Sequence, residues 1–424
     1  MNVHLAYGEH GLDVELPDGT TVIEPTATPG LPGPERAVAD AIAQPIGAPP
    51  LRELVRPQGT VAIVVSDITR AVPNELLLRP LLQTVHGAGV PRENVVIVIG
   101  TGMHRRSTPD EVQRIVGREI AASYEVIDHV ARDKSTLKLL TTTARGVEVW
   151  INCRYLEADV RIVTGFVEPH LFSGYSGGGK GVLPGVAGTE IVMANHSAEM
   201  IGHPKATFCV GEGNPIFEEQ RDVALLTKPS LLLNVTLNAE RAITGVFAGE
   251  LAAAHDAGIA QANRQYVREI PHEFDIVVTT NMGYPADILL YQSVKGICAA
   301  AKAVREGGAI ILAAECRDGL GLDEYTELLT SEASPAALLE RIHSPGFARY
   351  DQWGVQVQAM AQAKADCWLY SAMSRETVES AHLHYCDDVS LTVARLVDEQ
   401  RTQLGRDPTV AVLTHGQLTV PMLA

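Results

Sequence analysis

The residues with the clearest chemical potential lie together in the segment 168–180, EPHLFSGYSGGGK. This segment follows the apolar run Val160–Phe166, which is typical of a buried strand, and it contains His170, a run of glycines and Lys180. Ligands of open α/β sheets bind where such strands end. Glycines allow backbone N–H groups to close around an anion, and a lysine can supply a charge or a covalent amine. The segment therefore predicts a binding or catalytic site.

Two known motifs overlap this segment, and a third interpretation needs no chemistry. Residues 174–180 fit the start of a phosphate-binding P-loop, but Gly181 stands where that motif needs a hydroxyl for Mg²⁺. Residues 174–178 fit the G-x-S-x-G pattern of a hydrolase, with Ser176 as nucleophile and His415 as a candidate base. That pattern should follow a strand directly, which it does not do here. The third interpretation is a loop whose glycines only permit a tight turn.

Polar residues of catalytic type recur after other predicted strands. Asp67 and Arg70 follow one strand, His104 follows the next along the chain, and His196 is predicted on a helix. Alone, each has an ordinary explanation as a helix cap, a loop histidine or a core histidine. Together they are better explained by one pocket, because the carboxyl ends of parallel strands meet at the same edge of a sheet.

Such a pocket could act on a small hydroxy acid. Gln292 and Lys295 share one helical face in the second half of the chain, where a solvated stripe is the simpler explanation for either alone. An arginine and a lysine could hold a carboxylate, and two neutral histidines could exchange protons with a hydroxyl or the adjacent carbon. The α-hydrogen is too weakly acidic for imidazole, and no side chain accepts hydride, so a cofactor is implied. Lys180 beside the glycines is the predicted anchor.

Short β-branched runs alternate with helical patterns, which predicts an α/β protein with Rossmann-like, mainly parallel sheets. The predicted strands are 60–66, 94–100, 160–166, 231–237, 275–280, 308–314, 366–371 and 409–414. The predicted helices are 35–43, 75–86, 251–270, 288–305 and 387–401. Two domains are expected: 1–269, which binds the cofactor and is completed by 400–424, and 270–399, which contributes substrate-binding residues. The active site is expected in the cleft between them.

Composition excludes several classes of protein. The formal net charge of −17 argues against nucleic acid as a partner, since phosphate backbones are bound by clustered Lys and Arg. The six cysteines form no C-x-x-C pair, which indicates buried thiols in a reducing compartment. We find neither a secretion signal nor an apolar run of about 18 residues, so a cytoplasmic protein without membrane spans is expected. The sequence indicates no oligomeric state.

At these residues the chain resembles the nickel-dependent lactate racemase family. The matching segments are SDITRAVP at 66–73, TGMHRRST at 101–108, EPHLFSGYSGGGKGVLPG at 168–185, MANHS at 193–197, HPKA at 203–206, FAGE at 247–250, NMGYPAD at 281–287, YQSVKG at 291–296 and DQW at 351–353. The resemblance implies a racemase or epimerase of short 2-hydroxy acids, lactate or a relative such as malate. The alternatives are an epimerase of a larger 2-hydroxy or sugar acid and, from another class, a non-catalytic nucleotide- or cofactor-binding protein.

The same resemblance implies a nickel-pincer nucleotide as cofactor, and with it a dependence on the proteins that synthesise that cofactor. The nucleotide is a pyridinium mononucleotide that holds nickel through two sulfurs and a ring carbon. By resemblance, Lys180 is its covalent attachment point as a thioamide and His196 is the protein ligand of nickel. His104 and His170 are the two acid–bases, while the α-hydrogen moves as hydride and a 2-keto acid is the intermediate.

Further roles follow from the resemblance for residues around this centre. The substrate would be bound by Arg70, Gln292 and Lys295, with Asp67 orienting Arg70. The cofactor pocket would be formed by Phe172, Tyr291, Trp353, Gly177, Gly178 and Gly179, and the glycines either hold the phosphate or only shape the turn.

Four residues depart from the commonest family pattern. Met282 stands where a glycine is usual, Gly179 replaces a larger residue, and Ile288 and Leu289 replace more polar ones. None of these changes removes a chemical role, but all are expected near the pocket.

Overall fold

A computed structural model describes the whole chain, residues 1–424. The backbone forms two compact units. The N-terminal unit comprises Ala27–His196 and Pro204–Gln265, and the C-terminal unit comprises Met1–Thr26, Ser197–His203 and Tyr266–Ala424. None of the helices combines the length and apolar character that crossing a membrane requires.

The N-terminal unit is built on a six-stranded sheet. Its strands lie in the spatial order Ile243–Gly249, Leu231–Leu237, Val160–Phe166, Val61–Ser66, Val95–Gly100 and Glu125–Asp128. All neighbours are parallel except the first pair. Alternate residues of Val61–Ser66 enter hydrophobic clusters on opposite faces of the sheet, because side chains of a strand alternate in direction. Both faces are therefore covered, which accounts for an uninterrupted apolar run.

Helices and short ladders complete this unit. The helices are Pro34–Ala43, Leu51–Leu54, Asn74–Gly87, Pro109–Val116, Arg118–Ser123, Cys153–Leu156, Thr189–Asn195, Pro215–Leu226 and Leu251–Tyr266, with 3₁₀ turns at Arg92–Asn94, Lys134–Thr136 and Gly178–Gly181. Leu137–Thr142 pairs with Glu148–Asn152, and Pro169–His170 pairs with Gly174–Tyr175, both antiparallel.

The C-terminal unit contains an all-parallel six-stranded sheet. Its order is His384–Cys386, Ala365–Tyr370, Val304–Ala313, Phe274–Thr280, Val410–Leu413 and Thr21–Ile23. Its helices are Ala198–Ile201, Leu290–Ala300, Asp323–Leu329, Pro335–Ile342, Gln352–Lys364, Arg375–Ser380 and Val389–Leu404, with a 3₁₀ turn at Gly416–Leu418. An antiparallel hairpin joins Asn2–Leu5 to Leu12–Glu15, and Val267–Ile270 pairs in parallel with Val420–Leu423.

The predicted α/β class with mainly parallel sheets is confirmed, but several assignments are wrong. Residues 1–26 and 197–203 were expected in the N-terminal domain and belong to the C-terminal unit. The helix predicted over 288–305 spans only Leu290–Ala300, because Val304–Ala313 is a strand. The segment 400–424 was expected to complete the N-terminal domain, whereas Val410–Leu413 pairs with Phe274–Thr280 inside the C-terminal sheet. The helix predicted over 251–270 ends at Tyr266, because Val267–Ile270 is extended and pairs with the last strand.

Candidate active site

Three adjacent strands of the N-terminal unit bring predicted site residues to one edge of the sheet. The central strand, Val61–Ser66, leads directly to Asp67. Its neighbours Val95–Gly100 and Val160–Phe166 lead to His104 and His170, respectively. The prediction that these side chains share the carboxyl edge of a parallel sheet is consistent with this strand order.

Asp67 and His104 form a hydrogen-bonded pair. The Nδ1 of His104 lies 2.6 Å from Oδ2 of Asp67, whose other oxygen accepts from the N–H and hydroxyl of Thr69 at 3.2 and 2.7 Å. Burial alone would raise the pKa of Asp67, but the hydrogen bond and charge of His104, together with Arg70 and Thr69, bring it below its usual value. The ionised carboxylate holds the proton of His104 on Nδ1, so Nε2 of the neutral ring is a proton acceptor.

This pair corrects one predicted role. Asp67 was expected to orient Arg70, yet both carboxylate oxygens are engaged by His104 and Thr69. The charge of Arg70 lowers the pKa of Asp67 without a side-chain hydrogen bond between them. Asp67 therefore orients the ring of His104, and its interaction with Arg70 is one of charge alone.

His170 is held in the opposite tautomer to His104. It lies at the start of a tight hairpin in which the backbone N–H of Ser173 donates to its Nδ1 at 3.2 Å. A backbone N–H can only donate, so the proton of a neutral His170 is on Nε2. That nitrogen lies 3.5 Å from Nζ of Lys180. A positively charged amine there repels the partial positive charge of a ring N–H. Loss of the charge on Lys180 would remove this repulsion.

Phe172 links these residues to His196 through ring contacts. Its ring meets His170 edge to face at a centroid distance of 4.6 Å and meets His196 in the same manner at 5.3 Å. The Nζ of Lys180 lies 5.8 Å from the centre of the same ring. The structure thus gathers His170, Lys180 and His196 around the ring of Phe172.

The imidazole of His196 is buried and neutral, with a fixed tautomer. It directly follows the helix Thr189–Asn195 and is 5% exposed. Its Nδ1 donates to the carbonyl of Val192 at 3.1 Å, which makes Nε2 the electron-pair nitrogen. Burial, and secondly the charge of Lys180, lowers the pKa of His196 to about 3, so the ring stays neutral at neutral pH. Residues 1–424 contain no cluster of three or more His, Cys, Asp or Glu side chains that could hold a metal ion.

The glycines before Lys180 are required by close packing. A Cβ on Gly177 would lie 2.6 Å from Oδ1 of Asn234, and one on Gly179 would lie 2.5 Å from the carbonyl oxygen of Gln220. Gly178 has a φ of +52°, and its N–H is already donated to Oδ1 of Asn234 at 2.8 Å. Of the two roles left open for these glycines, the geometry supports shaping the turn that carries Lys180.

Both competing motifs fail on geometry. A Cβ at Gly181 would lie 2.3 Å from Cγ1 of Val163, so a P-loop serine or threonine does not fit there. The hydroxyl of Ser176, the candidate hydrolase nucleophile, is buried, donates to the carbonyl of Phe166 at 2.9 Å and accepts from the N–H of Glu168 at 3.0 Å. These hydrogen bonds stabilise the glycine turn.

The remaining predicted residues belong to the C-terminal unit. Tyr291 donates its hydroxyl to Asp351 at 3.0 Å and accepts from the indole N–H of Trp353 at 3.4 Å. Burial, followed by the charge of Asp351, raises the pKa of Tyr291 above its usual value. On the same helix, Leu290–Ala300, the amine of Lys295 donates to Oε1 of Gln292 at 3.3 Å. Tyr291 is thus fixed beside Trp353, and Lys295 beside Gln292.

Sequence reasoning missed three buried polar residues that support the site, Asn195, Gln220 and Asn234. All three are at most 2% exposed. Asn234 interrupts the apolar strand Leu231–Leu237, and Gln220 interrupts the buried stripe of a helix. A single polar residue inside an apolar pattern was the available signal, because buried polar groups need partners.

The amino-acid sequence matches lactate racemases over most of its length. The model of the lactate racemase N-terminal domain matches residues 7–208, and that of the lactate racemase C-terminal domain matches residues 270–420. The chain is 32% identical over 408 residues to a lactate racemase of Thermoanaerobacterium thermosaccharolyticum, covering 94% of this chain and 93% of the relative. It is 36% identical over 331 residues to a lactate racemase of Lactiplantibacillus plantarum, covering 77% of each chain.

Solved structures show the same relationship. The apoprotein of the Thermoanaerobacterium thermosaccharolyticum lactate racemase superimposes with a TM-score of 0.91 at 30% identity, covering 99% of this chain and 100% of that one. A protein from Thermotoga maritima is similar in fold alone, with a TM-score of 0.65 at 17% identity over 92% of this chain and 97% of that chain.

Proposed function

This chain belongs to the lactate racemase family and is an isomerase, and from that premise we propose that it interconverts the enantiomers of a short 2-hydroxy acid, either lactate or a close relative such as malate. The observation that carries the proposal is the pair of histidines at one sheet edge, each held in a defined tautomer by its own partner. Racemisation needs such groups because the hydroxyl of each enantiomer must lose and regain a proton.

The proton chemistry of the two histidines is not equivalent. His104 has its proton on Nδ1 and is ready to take a hydroxyl proton at Nε2, after which Asp67 stabilises the imidazolium. His170 has its proton on Nε2, so it first donates a hydrogen bond to substrate oxygen. To serve as a base for the other enantiomer, its ring proton must move to Nδ1. The N–H of Ser173 must then leave that nitrogen.

Three residues are proposed to hold the substrate carboxylate and carbonyl. Arg70 follows Asp67 at the sheet edge of the N-terminal unit, and Gln292 and Lys295 are paired on one helix of the C-terminal unit. Arginine and lysine supply the positive charge that a carboxylate requires.

The residues present fit the cofactor that the family implies. The electron-pair nitrogen of neutral His196 suits a single metal bond. The amine of Lys180 lies next to His170 and near the ring of Phe172, which His196 also contacts. We propose Lys180 as the covalent attachment point and His196 as the nickel ligand, with Phe172, Tyr291 and Trp353 as walls. A bound nickel-pincer nucleotide would supply the hydride acceptor for the α-hydrogen, with a 2-keto acid as the substrate intermediate.

The decisive test uses protein from a host that also produces the proteins of cofactor synthesis. We expect one nickel per chain, a mass increase confined to the peptide that contains Lys180, and racemisation of at least one acid in a panel of enantiopure lactate, malate and sugar acids. Protein from a host without those synthesis proteins is the matched control and is expected to be inactive. Nickel and added mass without turnover of any acid would instead indicate a non-catalytic cofactor-binding protein.

A further inference from the structure

A glutamine occupies the buried face of a helix that is otherwise apolar. The helix Pro215–Leu226 buries Ile216, Phe217, Val223 and Ala224, and Gln220 lies among them at 2% exposure. Burying an amide without partners costs about 1–3 kcal/mol. A leucine would complete the stripe without that cost, so the hydrogen-bond partners of Gln220 decide what the glutamine does.

Both ends of the Gln220 amide contact segments that carry proposed site residues. Its Oε1 accepts the hydroxyl of Ser173 at 2.6 Å, and Ser173 is the residue whose N–H fixes the tautomer of His170. Its Nε2 donates to Oδ1 of Asn195 at 3.1 Å, and Asn195 directly precedes His196. One side chain therefore connects the His170 hairpin with the segment that carries His196.

The same helix also fixes the backbone around these contacts. The carbonyl oxygen of Gln220 lies 2.5 Å from where a Cβ of Gly179 would stand, so it packs directly under the residue before Lys180. At the start of the helix, the Asn214 side chain donates to the carbonyl of Phe172 at 2.9 Å. The hairpin of His170 is thus held at two consecutive residues, Phe172 and Ser173.

We propose that Gln220 is a positioning residue that acts through Ser173 to hold the ring of His170 with its proton on Nε2. The proposal rests on the proposed function for its catalytic consequence, though not for its structural one. Without the Gln220 amide, the hydroxyl of Ser173 loses its buried acceptor and the N–H of Ser173 is no longer held against Nδ1 of His170. The ring then samples both tautomers and more than one orientation.

The structural consequence is measured on protein without cofactor. The ¹⁵N-histidine-labelled protein carries Lys180→Met in every sample, so that no charged amine faces Nε2 of His170. At about pH 8.5, where an ordinary histidine is neutral, His170 in this background is expected to show a protonated Nε2 and a bare Nδ1. The signal is assigned by its loss in His170→Gln. Gln220→Leu and Ser173→Ala should both convert it to a tautomer mixture. An unchanged His170 signal in the two variants would overturn the proposal.

The catalytic consequence is measured on cofactor-loaded protein. Gln220→Leu is expected to lower kcat by about 10- to 100-fold with a smaller change in KM. A ring without a fixed orientation is misplaced for proton transfer, and we expect this loss to exceed any gain from an easier shift of the ring proton to Nδ1. The double variant with Ser173→Ala should lose no more than the more severely affected single variant, since both remove one connection. Gln265→Leu is the matched control, a buried glutamine bonded to Thr244, and should keep wild-type kcat and the His170 signal.

The two readouts separate this proposal from the proposed function. If wild-type protein turns over no hydroxy acid, the function fails, while the His170 signal still decides the role of Gln220. If wild-type protein is a racemase and Gln220→Leu matches it in both kcat and tautomer, the positioning role alone is refuted.

Discussion

Replacing Asp67 by asparagine tests the assignment of His104 as a base. The carboxylate is 6% exposed and accepts from Thr69 with one oxygen and from His104 with the other. An asparagine has a single acceptor oxygen, and the backbone N–H of Thr69 retains it. The amide NH₂ then faces Nδ1 of His104, which must accept, so the ring proton moves to Nε2. The base is thereby blocked at the nitrogen that should take the substrate proton.

The size of the effect follows from these contacts. Loss of a positioned base costs about 10²–10⁴-fold in kcat, and loss of a charge-assisted hydrogen bond costs about 1–3 kcal/mol of unfolding free energy. The folded-state pKa of Asp67 lies below its unfolded value of 3.8. Its contribution to stability is therefore present above about pH 4 and is lost as the pH falls through the lower, folded-state pKa. Asp67→Asn should lack that part of the acid dependence.

The assay compares racemisation rate, urea unfolding and ¹⁵N histidine signals in wild type and Asp67→Asn. Asp133→Asn is the matched control, because Asp133 accepts from the N–H and hydroxyl of Ser135 as Asp67 does from Thr69, with no histidine attached. We expect the control to keep wild-type kcat. Wild-type kcat in Asp67→Asn, or a proton still on Nδ1 of His104, would refute the reasoning.

Three further predictions concern the metal, the glycine turn and the backbone. His196→Ala should lose nickel while the fold survives, whereas His104→Ala should keep nickel and lose about 10²–10⁴-fold in rate. Nickel is measured by elemental analysis, and nickel retained by His196→Ala would exclude His196 as the ligand. Gly181→Ser should lower the free energy of unfolding, measured in urea, by about 1–3 kcal/mol, because the added Cβ would lie 2.3 Å from a methyl carbon of the adjacent strand. Gly87→Ser is the control and should lower it far less, because no atom lies within 4 Å of its added Cβ. Met282 has a φ of +68°, so Met282→Gly should stabilise the chain by about 1 kcal/mol, and a lower urea midpoint would contradict this.

Most sheet strands could be predicted because each is apolar on both faces. The predicted 160–166 and 231–237 coincide with the observed strands. The hairpin of Asn2–Leu5 with Leu12–Glu15 and the edge strand Thr21–Ile23 were missed, because these short elements alternate or lie in a proline-rich segment. The placement of 400–424 depended on long-range strand pairing, which no local pattern reveals.

The site was predictable in its residue types but not in its contacts. Parallel strand ends placed Asp67, His104 and His170 at one edge. The hydrogen bonds of Asp67 with His104 at 2.6 Å and of Ser173 with His170 at 3.2 Å are seen only in the three-dimensional structure. Gln220 was invisible to motif reasoning because its role depends on partners distant in sequence.

The fate of the α-hydrogen distinguishes racemisation by hydride transfer from racemisation by proton exchange with solvent. Cofactor-loaded protein is given enantiopure lactate deuterated at carbon 2 in ordinary water, and each enantiomer of the product is analysed by mass spectrometry. We expect an equal mixture of enantiomers that retains the deuterium, since the hydrogen leaves and returns as hydride. Racemisation with washout of deuterium into solvent, or no racemisation of any 2-hydroxy acid by nickel-loaded protein, would contradict this expectation.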